Sequence, residues 1–182
     1  PSMVREAWKL ASILRRNRYA KGALDLDFPE VRAVMDKDGH VTDIITEEYD
    51  ESHQLIEECM LAANEAVALT LKNRNRPTIY RVHEEPDSAK LFEFGQLCKL
   101  YGHPVHDIGQ RQYLNELMKS IKGSPDEQLL KLALLKSLMR ARYDTEPLGH
   151  YGLATANYCH FTSPIRRYAD LVVHRSLNPL LA

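Results

Sequence analysis

The stretch HFTSPIRRYADLVVHR, residues 160–175, sets two adjacent arginines where a helix is about to begin. Ser163 has the character of an N-cap, and Pro164 suits a first helical position, where a missing N–H is no loss. Ile165, Ala169, Val172 and Val173 then recur at helical spacing and predict an apolar stripe facing a core. Cations are unusual at this place. The first turn of a helix carries unpaired N–H groups and partial positive charge, and so favours Asp or Glu. Arg166 and Asp170, four residues apart, are spaced to pair. Either of two surroundings makes the arginines favourable. One is an anion, since guanidinium grips phosphate in bidentate fashion and a helix N-terminus adds its own N–H groups. The other is a set of carboxylates in the core. Spacing alone does not choose between them.

Upstream, apolar positions at helical spacing predict a helix over residues 4–20. Residues 28–35 and 41–46 are β-rich runs around Asp36-Lys37-Asp38-Gly39, and a D-G pair between apolar runs predicts a hairpin. A long helix follows over 50–71, capped by Asp50 or Ser52. TIYRVH, residues 78–83, reads as a short buried strand. Pro86-Asp87-Ser88 opens a helix to about Tyr101, and further helices fit 109–121 and 126–143. Residues 144–156, with Pro147, Gly149 and Gly152, read as an irregular loop. The predicted class is α+β, mostly helical with a few short strands.

Composition narrows the function. The chain has 182 residues, 44% hydrophobic and 27% charged, the balance of one soluble globular domain. No apolar run approaches the roughly 20 residues needed to span a bilayer, and no membrane association is expected. Cys59, Cys98 and Cys159 are widely spaced without a C-x-x-C pair, which predicts free thiols, a cytoplasmic location and no zinc site. Net charge is −1, against the clear excess of basic residues of a domain that coats nucleic acid by bulk electrostatics. An anionic polymer would therefore be held in a local groove. Basic residues cluster at Arg15, Arg16, Arg18 and Lys21, and again at Arg166, Arg167 and Arg175; on composition alone both clusters read as solvated surface.

The motif of residues 160–175 closely resembles the signature of the ribonuclease II/ribonuclease R family, hydrolytic 3′→5′ exoribonucleases. LRRNRYAKGALDLDFPE (14–30), SHQLIEECMLAANEAVA (52–68), PTIYRVHEEP (77–86) and HYGLATANYCHFTSP (150–164) resemble successive blocks of the same catalytic domain, in order. GALDLDFPE and YRVHEEP place the likeness nearer the ribonuclease R branch. The resemblance implies a mixed α+β catalytic domain with a channel for the 3′ end of single-stranded RNA. It implies Mg²⁺-dependent release of nucleoside 5′-monophosphates, consistent with two-metal phosphodiester hydrolysis. It assigns Arg166 as the catalytic arginine that contacts the scissile phosphate. Ser163, Arg167, Tyr168 and Arg175 match the rest of the motif, as RNA contacts or supports of the helix. Glu57 matches the glutamate that distinguishes ribose near the terminal nucleotide, with Glu58 the weaker candidate, and a carboxylate accepting from a 2′-OH is a sound means to that end. The alternative for Glu57 is an acid favoured by the helix dipole. Asn64 reads as a buried amide with a local partner, and His174 as a packing residue.

The family's metal-binding aspartate block has no match here, so the Mg²⁺ ligands are expected upstream and no metal ligand is assigned within the chain. Asp25 and Asp27 fall in the GALDLDF segment, and EEYDE, residues 47–51, reads as a solvated turn. The chain is thus expected to be the C-terminal part of an exoribonuclease catalytic domain, inactive alone, with the missing N-terminal part of that domain and single-stranded RNA as partners. Exposed apolar surface and strand edges would favour self-association. The alternative is a non-catalytic single-stranded RNA-binding module, in which aromatics such as Tyr158, Phe161 and Tyr168 stack bases beside a charged groove.

Overall fold

The computed structural model describes residues 2–26, 28, 30–47 and 50–180. Helix α1 (Ser2–Ala20) ends because Gly22 adopts a positive φ of 99°. The Gly22 N–H then bonds Tyr19 O and the Ala23 N–H bonds Arg18 O, closing the last carbonyls. Strands β1 (Glu30–Met35) and β2 (Val41–Glu47) form the expected antiparallel hairpin. Helix α2 (Glu51–Asn73) begins at Asp50, whose side chain accepts from the Ser52 and His53 N–H groups. That settles the choice of cap in favour of Asp50 over Ser52. Strand β3 (Tyr80–Val82) leads to α3 (Ser88–Leu100), capped by Asp87, and to α4 (Arg111–Ile121) and α5 (Glu127–Ser137). Strand β4 (Arg142–Asp144), one 3₁₀ turn (Tyr151–Leu153) and α6 (Tyr168–Leu177) complete the order, with a second 3₁₀ turn at Asn178–Leu180. The class is α+β and mostly helical, as predicted.

Two cores organise these elements. Leu91, Phe94 and Cys98 of α3 pack with Leu114, Leu117 and Ile121 of α4 and Leu130 and Leu134 of α5. A second core joins Ala68 and Leu71 of α2, Tyr80 and Val82 of β3, Cys159 and Val173 of α6. Buried Tyr80 and Val82 fit the short buried strand read in TIYRVH. Helix α1 packs on α2, whereas the hairpin strands pack chiefly on each other. Directly opposed residues share a face of a ladder, so Val31, Ala33, Met35, Val41 and Ile44 form one apolar face, exposed throughout.

Several expectations need correction. The helix predicted over 126–143 stops at Ser137, and residues 142–144 are β4, paired antiparallel with β3. Leu138 already has extended backbone, and no Gly or Pro in LMRARY announces the change. Residues 144–156 are also less irregular than read, holding the end of β4 and a 3₁₀ turn capped by His150. The last helix does not start at Ser163. Residues 164–166 form a turn, closed by the Arg166 and Arg167 N–H groups on Ser163 O, and Arg167 holds the N-cap position of α6. Proline at the second position of a turn is as natural as proline at the start of a helix, so Ser-Pro carried both readings. Ile165 consequently leaves the predicted stripe and is 98% exposed, while Ala169 and Val173 remain buried. Asp27, Glu48 and Tyr49, weighed above as carboxylates or turn residues, lie outside the described residues.

Candidate functional site

Asp170, at the third position of α6, is fully buried. Its carboxylate accepts from the Ser163 N–H at 2.7 Å and from Arg167 Nε and Nη2 at 2.8 and 2.9 Å. The pair anticipated between Arg166 and Asp170 is therefore made by Arg167 instead. An acid reaching back from the first turn to a preceding N–H is the logic of a capping box, here spread over seven residues. Burial alone would raise the Asp170 pKa, but the bonds from Arg167 and Ser163 hold it below the usual carboxylate range. Arg167 thus has a carboxylate partner. Arg166, one residue earlier on the turn, is exposed, and its guanidinium makes no hydrogen bond or ion pair among the described residues.

The loop before this turn is tied down from α2. Asn64 is buried, its Oδ1 accepts from the Phe161 and Thr162 N–H groups at 3.0 and 3.3 Å, and its Nδ2 donates to Tyr158 Oη at 3.0 Å. Its partners lie more than ninety residues away, correcting the expectation of a local one. His174 packs, as expected: its ring stacks on Phe161 at 4.2 Å, with Nε2 3.0 Å from Phe161 O. Replacing Asn64 by alanine leaves two half-buried N–H groups and a buried hydroxyl without their partner. We expect a loss of at least about 2 kcal/mol in urea unfolding, since each orphaned group costs about 1–3 kcal/mol. A loss below 0.5 kcal/mol, roughly the scale of a plain surface change, would show that the tie is idle.

Glu57 and Glu58 face different surroundings. Glu58 is 2% exposed and accepts from Arg18 Nε at 3.2 and 3.3 Å, with Arg18 Nη2 closer still. Glu57 Oε1 lies 3.8 Å from Arg18 Nη2 and its Oε2 3.6 Å from Arg15 Nη1. Both arginines also lie over the Tyr19 ring, at 5.0 and 4.8 Å. Arg15 and Arg18 are hence not solvated surface as read from the sequence. They neutralise two carboxylates that α2 presents to α1. Burial works against the Arg18 charge, yet the bond to Glu58 and the nearby charges leave its pKa raised. Glu58, so enclosed, is removed as a ligand group, and Glu57 keeps a third of its side-chain surface open.

Glu57 and Arg167 line one cavity of about 470 Å³, with Ile56, Met60, Asn64 and Tyr158. The structure thus brings together two of the residues picked from the sequence. Arg166, Tyr168 and Arg175 are not among its walls. Tyr168 is 69% exposed, with Arg175 over its ring at 5.9 Å and a long 3.5 Å contact from Arg175 Nη1 to Tyr168 Oη. Sequence reasoning missed the row of rings behind the motif. His83, His150, Tyr158 and His160 follow one another edge to face at 5.0, 5.4 and 5.8 Å. Burial, then His83 and Arg81, push His150 down to about 3; burial, then Arg167, push His160 down to about 4, so this row is uncharged at neutral pH.

No carboxylate set converges on Arg166 among the described residues. Asp25 is taken by Lys122, at 3.1 Å. Asp36, Asp38 and His40 cluster at the exposed hairpin tip, where Asp36 Oδ1 already accepts from the Asp38 and His40 N–H groups. That geometry is a turn satisfying itself. The described residues do not fit a metal beside Arg166.

An α+β domain with a pinned, arginine-bearing turn and a cavity lined by Glu57 and Arg167 is the class these features define, and no described helix is long and apolar enough to cross a membrane. The family model of the RNB domain matches residues 2–182, and the chain belongs to that family. It is 40% identical over 182 residues to ribonuclease R of Thermotoga maritima and 38% identical over 175 residues to ribonuclease R of Aquifex aeolicus, covering 96% and 94% of this chain. It spans 25% of the length of each. Among solved structures, Mycoplasma genitalium RNase R in complex with ribose-methylated single-stranded RNA superposes with a TM-score of 0.89 at 30% identity, over 96% of this chain and 28% of that one. The likeness to ribonuclease R read in the motif agrees with these matches.

Proposed function

We propose that this chain is the C-terminal part of the catalytic domain of a processive 3′→5′ exoribonuclease that hydrolyses single-stranded RNA to nucleoside 5′-monophosphates. One observation carries the reading. Arg166 stands exposed and without a carboxylate partner among the described residues, on a turn whose base is fixed by Asp170, Arg167 and Asn64, so its charge is held out for an anion from outside the described residues. A guanidinium so fixed can grip a phosphodiester without paying ordering entropy at the moment of binding. Membership of the RNB family and the RNA-bound relative support phosphate of RNA as that anion.

In this reading Arg166 binds and polarises the scissile phosphate. Glu57, open to the cavity, accepts a bond from the terminal ribose. Tyr168, Arg175 and Ser163 contact the strand nearby, and Arg167 supports the turn through Asp170 while lining the cavity. Nucleases of this family generally depend on divalent metal, and we assign Mg²⁺ to ligands outside this chain, because the described carboxylates do not fit it. The chain alone is then inactive. Free Cys59, Cys98 and Cys159 support a reducing, cytoplasmic setting, and the exposed apolar hairpin face supports self-association.

The lack of a carboxylate set near Arg166 among the described residues also favours a second reading, a module that binds single-stranded RNA without cleaving it. Incubating 5′-labelled single-stranded RNA with Mg²⁺ separates the two. We expect stepwise 3′ trimming from a longer polypeptide carrying an upstream aspartate block, and none from the chain alone. Trimming by the chain alone would place a metal site within it. Binding without trimming by both forms would establish the second reading.

A further inference from the structure

The antiparallel pairing of β3 with β4 sets Arg81 directly opposite Tyr143, so the two side chains share a face of the ladder. The Arg81 guanidinium lies 5.0 Å from the centre of the Tyr143 ring. Tyr143 is 43% exposed, and its hydroxyl is 2.7 Å from His160 Nδ1, with the two rings edge to face at 5.6 Å. His160 opens the loop that ends in the Arg166 turn. The Arg81 N–H also bonds Tyr158 O, at 2.8 Å, fastening the strand to the same loop.

The pattern of neutralisation around this loop is uneven. Arg167 is paired with Asp170, and Arg142, beside Tyr143, with Glu84 and Asp144. Arg15 and Arg18 are paired with Glu57 and Glu58. Arg81 and Arg166 make no ion pair or side-chain hydrogen bond to a described residue. Both nonetheless lie near enough to His160 to act against its cationic form, in concert with burial and Arg167 and against Asp170. Two guanidinium groups that act on one neutral imidazole, neither of them paired with a carboxylate among the described residues, leave positive potential that an anion would relieve.

We infer that Arg81 is a second phosphate contact in addition to Arg166, and that the Tyr143 ring is the floor of its nucleotide subsite. The ligand is a phosphodiester of single-stranded RNA, with its base against the exposed part of the Tyr143 ring. Arginine suits the position because one fork meets two phosphate oxygens while its plane rests on an aromatic face. Tyr143 is itself anchored by the hydrogen bond between its hydroxyl and His160 Nδ1. The subsite rests on the proposed role of Arg166 and adds to it a contact borne by a strand rather than a turn.

The test uses the intact chain and a fluorescent single-stranded oligoribonucleotide, with affinity measured across a salt series. A single-strand phosphate contact contributes about 0.7 to the slope of log K against log salt. Arg81→Gln is expected to lower the slope by that amount and weaken binding at low salt several-fold, whereas Arg81→Lys keeps the slope. A second readout is the His160 ring, followed by NMR titration. Bound oligonucleotide raises its pKa in the wild-type chain, because an anion beside Arg81 and Arg166 favours the imidazolium, and raises it less in Arg81→Gln. If Arg81→Gln leaves both readouts unchanged while Arg166→Gln lowers the slope, the second contact is overturned and the role of Arg166 stands. If Arg166→Gln also leaves the slope unchanged, or the wild-type chain binds no oligonucleotide, both fail.

Discussion

Asp170→Ala is expected to destabilise the chain by about 3–5 kcal/mol, the range for removing one partner of a buried ion pair. The substitution strips the half-buried Arg167 of its buried carboxylate partner and leaves the Ser163 N–H without an acceptor, because all three bonds converge on one side chain. For a domain of this size each kcal/mol moves the midpoint by about 2–4 °C, so melting should fall by roughly 6–20 °C. The effect carries a pH signature. The folded pKa of Asp170 is depressed, so its contribution is fully present above the unfolded value of about 4 and is lost as pH falls through the folded value. The gap between wild type and Asp170→Ala therefore closes in acid. A gap that holds constant down to pH 2 would mean that the carboxylate charge does not stabilise the turn.

How much of this was legible in the sequence depends on the reach of each interaction. Helices α1 to α5 were visible because their causes are local: apolar residues at helical spacing, with Asp50 and Asp87 as caps of α2 and α3. The hairpin was visible because Asp36, Lys37, Asp38 and Gly39 form its turn among themselves. The start of α6 was misplaced because Ser163 answers to Asp170, seven residues on, and not to its own helix. β4 was hidden because its pairing with β3 joins segments about sixty residues apart, and the chain between Leu138 and Tyr143 has no breaker of its own. The same limit governs the site. Arg166 was found through its motif, but the arginines around it could be ranked only once their carboxylates were placed. Arg15, Arg18 and Arg167 look equally cationic in the sequence, yet in the fold each is already neutralised. Arg81, inside an apparently ordinary strand, is neutralised by no described residue.

That distinction makes the outcome of Arg166→Ala specific. In a longer polypeptide that trims RNA, the substitution is expected to lower the rate about 10²–10³-fold, the loss found on removing one preorganised donor from developing negative charge. Stability should move by no more than about 0.5 kcal/mol, because the side chain is exposed and touches no described partner. Arg166→Lys should recover only part of the rate, since an ammonium keeps the charge but lacks the planar fork that meets two phosphate oxygens. Asp170→Ala is the necessary companion. It disturbs the turn that carries Arg166 and should lose both rate and stability, whereas Arg166→Ala loses rate alone. Single-turnover trimming beside a thermal melt measures both quantities on the same sample. If Arg166→Ala melts as early as Asp170→Ala, the guanidinium is structural. If it trims at the wild-type rate, the phosphate is held by another group, and the exposed turn has some other purpose.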